Sequence, residues 1–324
     1  MLDTIKKLSI SASLSILFIG VSLSPTNIFA ASSPQSGQGL SVSPPLISSS
    51  ANPGQSVVIN IRVQNISGLP LILSSVAQDF GAKGQDGTPQ ILFNETSSTR
   101  YSLKYWIAPI NSPTIAPNSS SVIPVTVNIP ANAEPGGHYG AIQLSGKPPA
   151  VDKTGVGVYA SIGVLVLFTV NGTITHNLSS LSTQVSQNSK IGTFFQSGPL
   201  SISELIQNTG AVHEEPTGNI TVKNFFGSHA ITLPFNSKKS NILPGSVRKF
   251  TQDIKTKNLF GYYTISGNLV YGNHQTLSIK PISFWVIPVP LVIMILVLVV
   301  LIFFILKFGI KRYNSYVIEQ ARRR

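Results

Sequence analysis

The chain has 324 residues, of which only 10% are charged, with 23 Lys and Arg against 11 Asp and Glu. It contains no cysteine, which excludes disulfide bonds, thiolate zinc sites and cysteine nucleophiles. About half of the formal net charge of +12 lies at the two ends of the chain and the rest is scattered, so a nucleic-acid partner is not predicted.

Residues 1–30 have the order of a secretory signal peptide. Lys6 and Lys7 precede a mostly apolar run over residues 8–23, Pro25 interrupts it, and Ala30 supplies a small residue for cleavage. This order predicts export, with residues 31–39 as a linker. A retained N-terminal membrane anchor is the alternative.

Residues 40–172 predict a first β-sandwich domain. In "SVVINIRVQN" the apolar residues alternate on one face, which indicates a half-buried strand. The pattern recurs in "SVIPVTVNIP", where Pro124 falls on the opposite face and favours an edge strand or a bulge. "YSLKYWIAP" also alternates. The apolar stretch 156–170 predicts one strand covered on both sides, or two strands joined at residues 161–163.

Residues 176–282 predict a second β-sandwich domain. Turn residues separate its candidate strands at the spacing of immunoglobulin-like sandwiches. The two regions also echo each other, because "VQNISG" in the first corresponds to "IQNTG" in the second. The candidate strands are "PLSISELIQN", "GNITVKNFF", "HAITLPF", "VRKFTQDI", "GYYTISGNLVYG" and "QTLSIKPI".

Residues 286–306 carry no charge and predict a transmembrane helix of about 31 Å at 1.5 Å per residue. Trp285 is placed as an interfacial anchor at one end. The basic residues of the segment 307–324 follow at the other end and predict a cytoplasmic tail. The fold class is therefore all-β, with two immunoglobulin-like sandwiches outside the cell and one C-terminal transmembrane helix.

The motif "EPGGHYGAI" is the main candidate for chemistry. Its glycines precede a strand and not a helix, which argues against a phosphate loop. His138 has no companion at metal-ligand spacing and is predicted to be an exposed turn residue. Pro135, Gly136 and Gly137 are predicted to form the turn, with Tyr139 and Gly140 opening the strand and Tyr139 locking it as a sandwich-corner tyrosine does.

No catalytic, cofactor-binding or metal-binding residue is predicted elsewhere. "HEEP" at residues 213–216 lacks the second histidine of a zinc-protease helix, and Asp79 and Asp86 are too isolated to favour calcium. Tyr105 and Trp106 are candidate ligand-facing aromatics. Alternating aromatics are more often core residues, but they also stack on sugar rings, and adjacent positions point in opposite directions.

Residues 101–144 carry the features of a known family: a Trp-Ile strand, a proline-bearing turn, a "V-x-I-P" strand and "P-G-G-x-Y-G-A-I". They resemble the WxL-interacting protein family of Gram-positive bacteria, and "SPPLISSSANPGQSVVINIRVQNISGLPLIL" resembles that family's opening strands. The likeness covers about residues 40–170. It implies surface display, with the first domain attached to peptidoglycan and the second engaging partner proteins such as WxL-domain proteins.

The sequence thus predicts a non-catalytic, membrane-anchored cell-surface scaffold without cofactors, which binds cell-wall peptidoglycan, surface partner proteins, or both. An adhesin for host or neighbouring-cell ligands is one alternative. An extracellular hydrolase is the other, although the isolated carboxylates give it little support.

Overall fold

A computed structural model describes residues 39–93, 99–149, 160–225, 227 and 230–323. The predicted signal peptide at residues 1–30 lies outside the described residues. So do residues 31–38 of the predicted linker, residues 156–159 of the apolar stretch and the last residue of the predicted tail.

The first β-sandwich has a three-stranded sheet in the order β1-β3-β7 and a second sheet in the order β2-β9-β8-β4-β5, with β6 on β4. A 3-10 helix, Lys104–Trp106, lies between β5 and β6. The strands are β1 (Leu40–Ser43), β2 (Leu46–Ala51), β3 (Ser56–Asn65), β4 (Leu71–Lys83), β5 (Thr88–Leu92), β6 (Thr114–Ile115), β7 (Ser120–Asn128), β8 (Gly136–Lys147) and β9 (Ala160–Val170).

The alternation predicted for "SVVINIRVQN" and "SVIPVTVNIP" is confirmed. In β3 the side chains of Ile59, Ile61 and Val63 are buried while their neighbours are exposed. In β7 the inward residues are also buried, and β7 is a terminal strand among those described, as Pro124 predicted. Within its described part the stretch 156–170 is one strand, β9, without a break at residues 161–163.

The strand predicted over "YSLKYWIAP" is wrong. Residues 104–106 form the 3-10 helix because the buried carboxylate of Asp79 accepts hydrogen bonds from three consecutive residues. The donors are the Ser102 hydroxyl at 2.5 Å and the backbone N–H groups of Leu103 and Lys104, each at 3.0 Å. Asp79 itself lies in β4, so its carboxylate connects this turn to the sheet.

The second β-sandwich has one sheet in the order β11-β10-β13-β16 and another in the order β12-β19-β17-β14-β15, with β18 also on β17. Each of the six candidate segments of this region contains a strand, although β18 ends at Ser278, before the last four residues of "QTLSIKPI". The strands are β10 (Leu178–Gln187), β11 (Lys190–Ile191), β12 (Phe194–Phe195), β13 (Leu200–Asn208), β14 (Thr217–Asn224), β15 (Ala230–Phe235), β16 (Val247–Ile254), β17 (Gly261–Tyr271), β18 (Gln275–Ser278) and β19 (Ile282–Val286).

The echo between the two regions has an atomic basis in Asn65 and Asn208, which end β3 and β13 and are fully buried. Each side-chain amide donates to the carbonyl oxygen four residues later, at 2.7 Å for Asn65 and 2.8 Å for Asn208. Each side-chain oxygen accepts the N–H two residues later, at 2.9 and 2.8 Å. The same capped loop therefore closes both sandwiches.

The C-terminal helix α1 (Val289–Arg322) is long and apolar enough to cross a membrane. The predicted start at residue 286 is wrong, because Val286 is fully buried in β19 and pairs with Gly261. The charge-free part of α1 therefore runs from Val289 to residue 306 and is about 27 Å long. The helix continues through the predicted tail to Arg322, so most of that segment is helical.

Candidate functional site

The motif "EPGGHYGAI" lies where the two sandwiches meet. β8 begins at Gly136, so the turn precedes the two glycines, and the predicted turn over residues 135–137 is corrected. The Gly137 N–H donates to the Ala211 carbonyl oxygen of the second sandwich at 2.8 Å. Gly136 has a φ of 133°, and a Cβ there would lie 2.7 Å from the same oxygen. Only glycine allows the two backbones to come this close.

Tyr139 is the centre of this junction. Its side chain is 3% exposed and lies edge-on to Phe80 of the first sandwich and to His213 of the second, with ring centroids 6.0 and 5.7 Å apart. Phe80, Tyr139 and Leu167 form a cluster separate from the core of the first sandwich, and Leu243 of the second sandwich packs on it. Tyr139 therefore contacts both sandwiches, whereas the sequence predicts that it locks a corner within the first.

The hydroxyl of Tyr139 and Nδ1 of His213 are 3.4 Å apart. Burial raises the pKa of Tyr139 well above its ordinary value of 10.0, so the phenol keeps its proton. Burial lowers the pKa of His213 from 6.5 to about 4, so its ring is neutral at neutral pH. The phenol therefore donates and the neutral imidazole accepts.

His138 is buried, at 4% exposed, and not the exposed turn residue that the sequence predicts. Its ring packs on Trp106 with centroids 4.2 Å apart, and Nε2 donates to the Glu134 carbonyl at 3.1 Å. Burial lowers the pKa of His138, which keeps the ring neutral. His138 and Trp106 together anchor the 3-10 helix to β8.

The two candidate ligand-facing aromatics point in different directions. Trp106 is partly buried against the core of the first sandwich. Tyr105 is 56% exposed, and the Lys104 ammonium lies 4.9 Å from its ring centroid. Gly140 and Pro135 of the motif are also closely packed, because a Cβ on Gly140 would lie 3.2 Å from Leu103, and Pro135 packs against Gly172.

The "HEEP" residues contribute to structure at the same junction. Nδ1 of His176 lies 2.6 Å from a buried carboxylate oxygen of Glu214. Burial raises the pKa of Glu214, and the hydrogen bond from His176 opposes this shift. Among the described residues there is no group of three or more His, Asp or Glu side chains that could hold a metal ion.

A cleft of about 240 Å³ opens beside the junction, between the two sandwiches. Phe80, Leu165 and Leu167 of the first sandwich form its apolar wall, while Lys238, Lys239 and Arg248 of the second line the other side. None of the described residues that line the cleft is a carboxylate.

Arg248 is fixed in this cleft. Its Nη1 donates to the Asn241 carbonyl oxygen at 2.8 Å, and its guanidinium lies 5.7 Å from the Phe250 ring centroid. Burial lowers its pKa and the charge of Asp86 opposes this shift; an arginine remains charged under such conditions. The sequence shows the basic pairs 238–239 and 248–249, but not that three of their four residues line one cleft.

Comparisons with known proteins leave the family open. No protein-family model matches the sequence, and no curated protein matches it. Among solved structures, the YadV chaperone is similar at 11% identity and a TM-score of 0.37, over 76% of this chain and 100% of that one. The class 5 fimbriae chaperone CfaA is similar at 14% identity and 0.38, over 77% and 100%. The E. coli chaperone DraB is similar at 11% and 0.36, over 77% and 98%. Sequence identities and TM-scores this low do not indicate a shared function.

Proposed function

We propose that the protein is a non-catalytic, single-pass cell-surface scaffold whose paired β-sandwiches bind cell-wall peptidoglycan. The apolar helix supports the anchoring, since it begins three residues after β19 and would hold the second sandwich at the membrane. The basic residues between Lys307 and Arg323 support a cytoplasmic C-terminus, with both sandwiches outside the cell.

The observation that carries the proposal is the interdomain cleft. Clefts between domains are frequent binding sites, and in this one the described lining residues provide an apolar wall and three cations but no carboxylate. Peptidoglycan consists of glycan strands with short peptides that end in carboxylates. Lys238, Lys239 and Arg248 would bind such a carboxylate through charge-assisted hydrogen bonds, with the apolar wall against a sugar ring or an alanine methyl group.

The resemblance of residues 40–170 to the WxL-interacting family supports the same ligand, because that family's first domain is expected to attach to peptidoglycan. Surface partner proteins, including WxL-domain proteins, are the second candidate. The terminal strand β15 favours them, since it is hydrogen-bonded to β14 and among the described strands has no partner on its other side. An open edge can pair with a strand of another protein.

Binding of the detergent-solubilised full chain to purified sacculi tests the proposal. The sacculi are stripped of covalently attached anionic polymers, so that retention reports on peptidoglycan and not on bulk charge. We expect the wild type to sediment with the sacculi and the Lys238→Glu/Lys239→Glu variant to lose most of this binding.

The control is Lys255→Glu/Lys257→Glu, which makes the same change of charge at the opposite end of the second sandwich. It should bind as the wild type does. An equal loss of binding in both variants would show that the interaction is non-specific attraction between charges. A wild type that is not retained by the sacculi would contradict the proposal for peptidoglycan.

A further inference from the structure

The end of the second sandwich from which α1 continues presents large apolar side chains to solvent. The antiparallel register of β17 and β19 brings Gly261 beside Val286, and the parallel register of β12 and β19 brings Phe194 beside Trp285. This end, called the proximal end below, carries Ile191, Phe194, Phe225, Phe260 and Trp285, which are 65%, 52%, 75%, 64% and 47% exposed.

Ring packing and backbone hydrogen bonds connect three of these residues to the sandwich. Trp285 packs on Tyr262 with ring centroids 4.9 Å apart. The Phe225 N–H donates to the Tyr262 carbonyl at 2.9 Å, and the Phe260 N–H donates to the Tyr263 hydroxyl at 3.2 Å. All three contacts are made to Tyr262 or Tyr263 of β17, so these exposed residues are connected to the folded sheet.

The charge of the proximal end is positive. Lys190, Lys255 and Lys257 are exposed there; Lys190 directly precedes Ile191, and Lys257 lies three residues before Phe260. Of the four acidic residues of this sandwich only Asp253 lies at this end, where it accepts a hydrogen bond from the Ser201 hydroxyl at 2.8 Å. Aromatic side chains surrounded by lysines match the interface of an anionic bilayer, where rings sit at headgroup depth and ammonium groups pair with phosphates.

The connection to α1 leaves little distance between this surface and a bilayer. The Ile287 N–H still donates to the Phe195 carbonyl oxygen at 2.8 Å, and only Pro288 separates it from the first residue of the helix. Two residues of extended chain span at most about 7 Å. If α1 crosses the membrane, the proximal end must lie at the headgroup layer.

We propose that the proximal end of the second sandwich is a lipid-binding surface that sits in the headgroup layer of an anionic membrane and holds both sandwiches at a fixed angle to it. This inference rests on the membrane anchoring in the proposed function. The folded domain would then contact the membrane directly, in addition to the contact made by the helix α1.

Spin labels on the full chain in lipid nanodiscs test the surface, and the absence of native cysteines allows single sites to be labelled. A label at Asn258→Cys lies beside Phe260 and Lys257 without removing either. A label at Asn273→Cys, at the opposite end of the same sandwich, is the control, and a label at Val297→Cys reports on insertion of the helix.

In nanodiscs containing phosphatidylglycerol, we expect the residue-258 label to be several-fold less accessible to a water-soluble nickel relaxation reagent than the residue-273 label. Phe260→Ser, or Lys255→Glu with Lys257→Glu, should restore most of that accessibility. Equal accessibility at residues 258 and 273, with the residue-297 label shielded, would overturn the lipid-binding surface and leave the anchor intact. An exposed residue-297 label would overturn both.

Discussion

Replacing Tyr139 by alanine tests whether this residue belongs to the interdomain junction or to the core of the first sandwich. A buried aromatic side chain covers about 150–250 Å², which corresponds to an upper value of about 4–6 kcal/mol at 25 cal/mol per Å². Truncations of this kind cost about 3–5 kcal/mol, and some of the contacts of Tyr139 lie within its own sandwich. We expect a loss of about 2–5 kcal/mol.

The matched control is Ile142→Ala, because Ile142 lies three residues further along β8 and is fully buried in the core of the first sandwich. Hydrogen exchange of the full chain separates the two variants. Tyr139→Ala should speed exchange at the amides of Ala211 and Glu214, which belong to the other sandwich, whereas Ile142→Ala should speed exchange only in the first.

An unchanged exchange at residues 211–214 in Tyr139→Ala, with β8 destabilised as in Ile142→Ala, would contradict a role of Tyr139 between the sandwiches. That result would return Tyr139 to the structural role within one sandwich that the sequence predicts.

Two further predictions concern stability. Asn208→Ala removes three buried hydrogen bonds and should lower the free energy of unfolding of the second sandwich by about 3–5 kcal/mol in guanidinium titrations. Asn65→Ala should have the same effect on the first sandwich. A change below about 1 kcal/mol would contradict the capping role. The pKa of His213 is about 4 in the folded protein, below the ordinary value of 6.5. The unfolded chain therefore binds the proton first on acidification, and up to about 2 kcal/mol of stability should be lost between pH 7 and pH 5. Burial raises the pKa of Glu214, and this shift changes the pH dependence of stability in the opposite direction. The contribution of His213 is therefore measured as the difference in stability from the His213→Asn variant, which keeps an acceptor for Tyr139. Parallel pH profiles of the two proteins would exclude His213 as the cause.

The strands that the sequence predicts are those in which burial follows an apolar alternation, as in β3 and β7. β10 has no such pattern, because two of its buried positions are Ser180 and Thr183. Their hydroxyls donate to the buried carboxylate of Glu204, at 2.5 and 2.7 Å. Because this buried cluster is polar, the hydropathy pattern of the sequence does not predict the strand.

The interdomain site could be predicted only in part. The glycines and the tyrosine of "EPGGHYGAI" mark a special backbone position, but their partners are Ala211 and His213, more than 70 residues later in the chain. Local patterns carry no information about such a contact. Local patterns do not predict the burial of His138 for the same reason, since it depends on a 3-10 helix that Asp79 holds in place.

Photo-crosslinking to sacculi tests the central claim, that the interdomain cleft binds peptidoglycan, most directly. A benzophenone side chain replaces Ser240, which lines the cleft, or Asn258, which lies at the proximal end of the second sandwich. After irradiation and a denaturing wash, we expect the full chain to stay covalently attached to the sacculi from position 240 and not from position 258. Attachment from position 258 alone, or equal attachment from both, would contradict this claim.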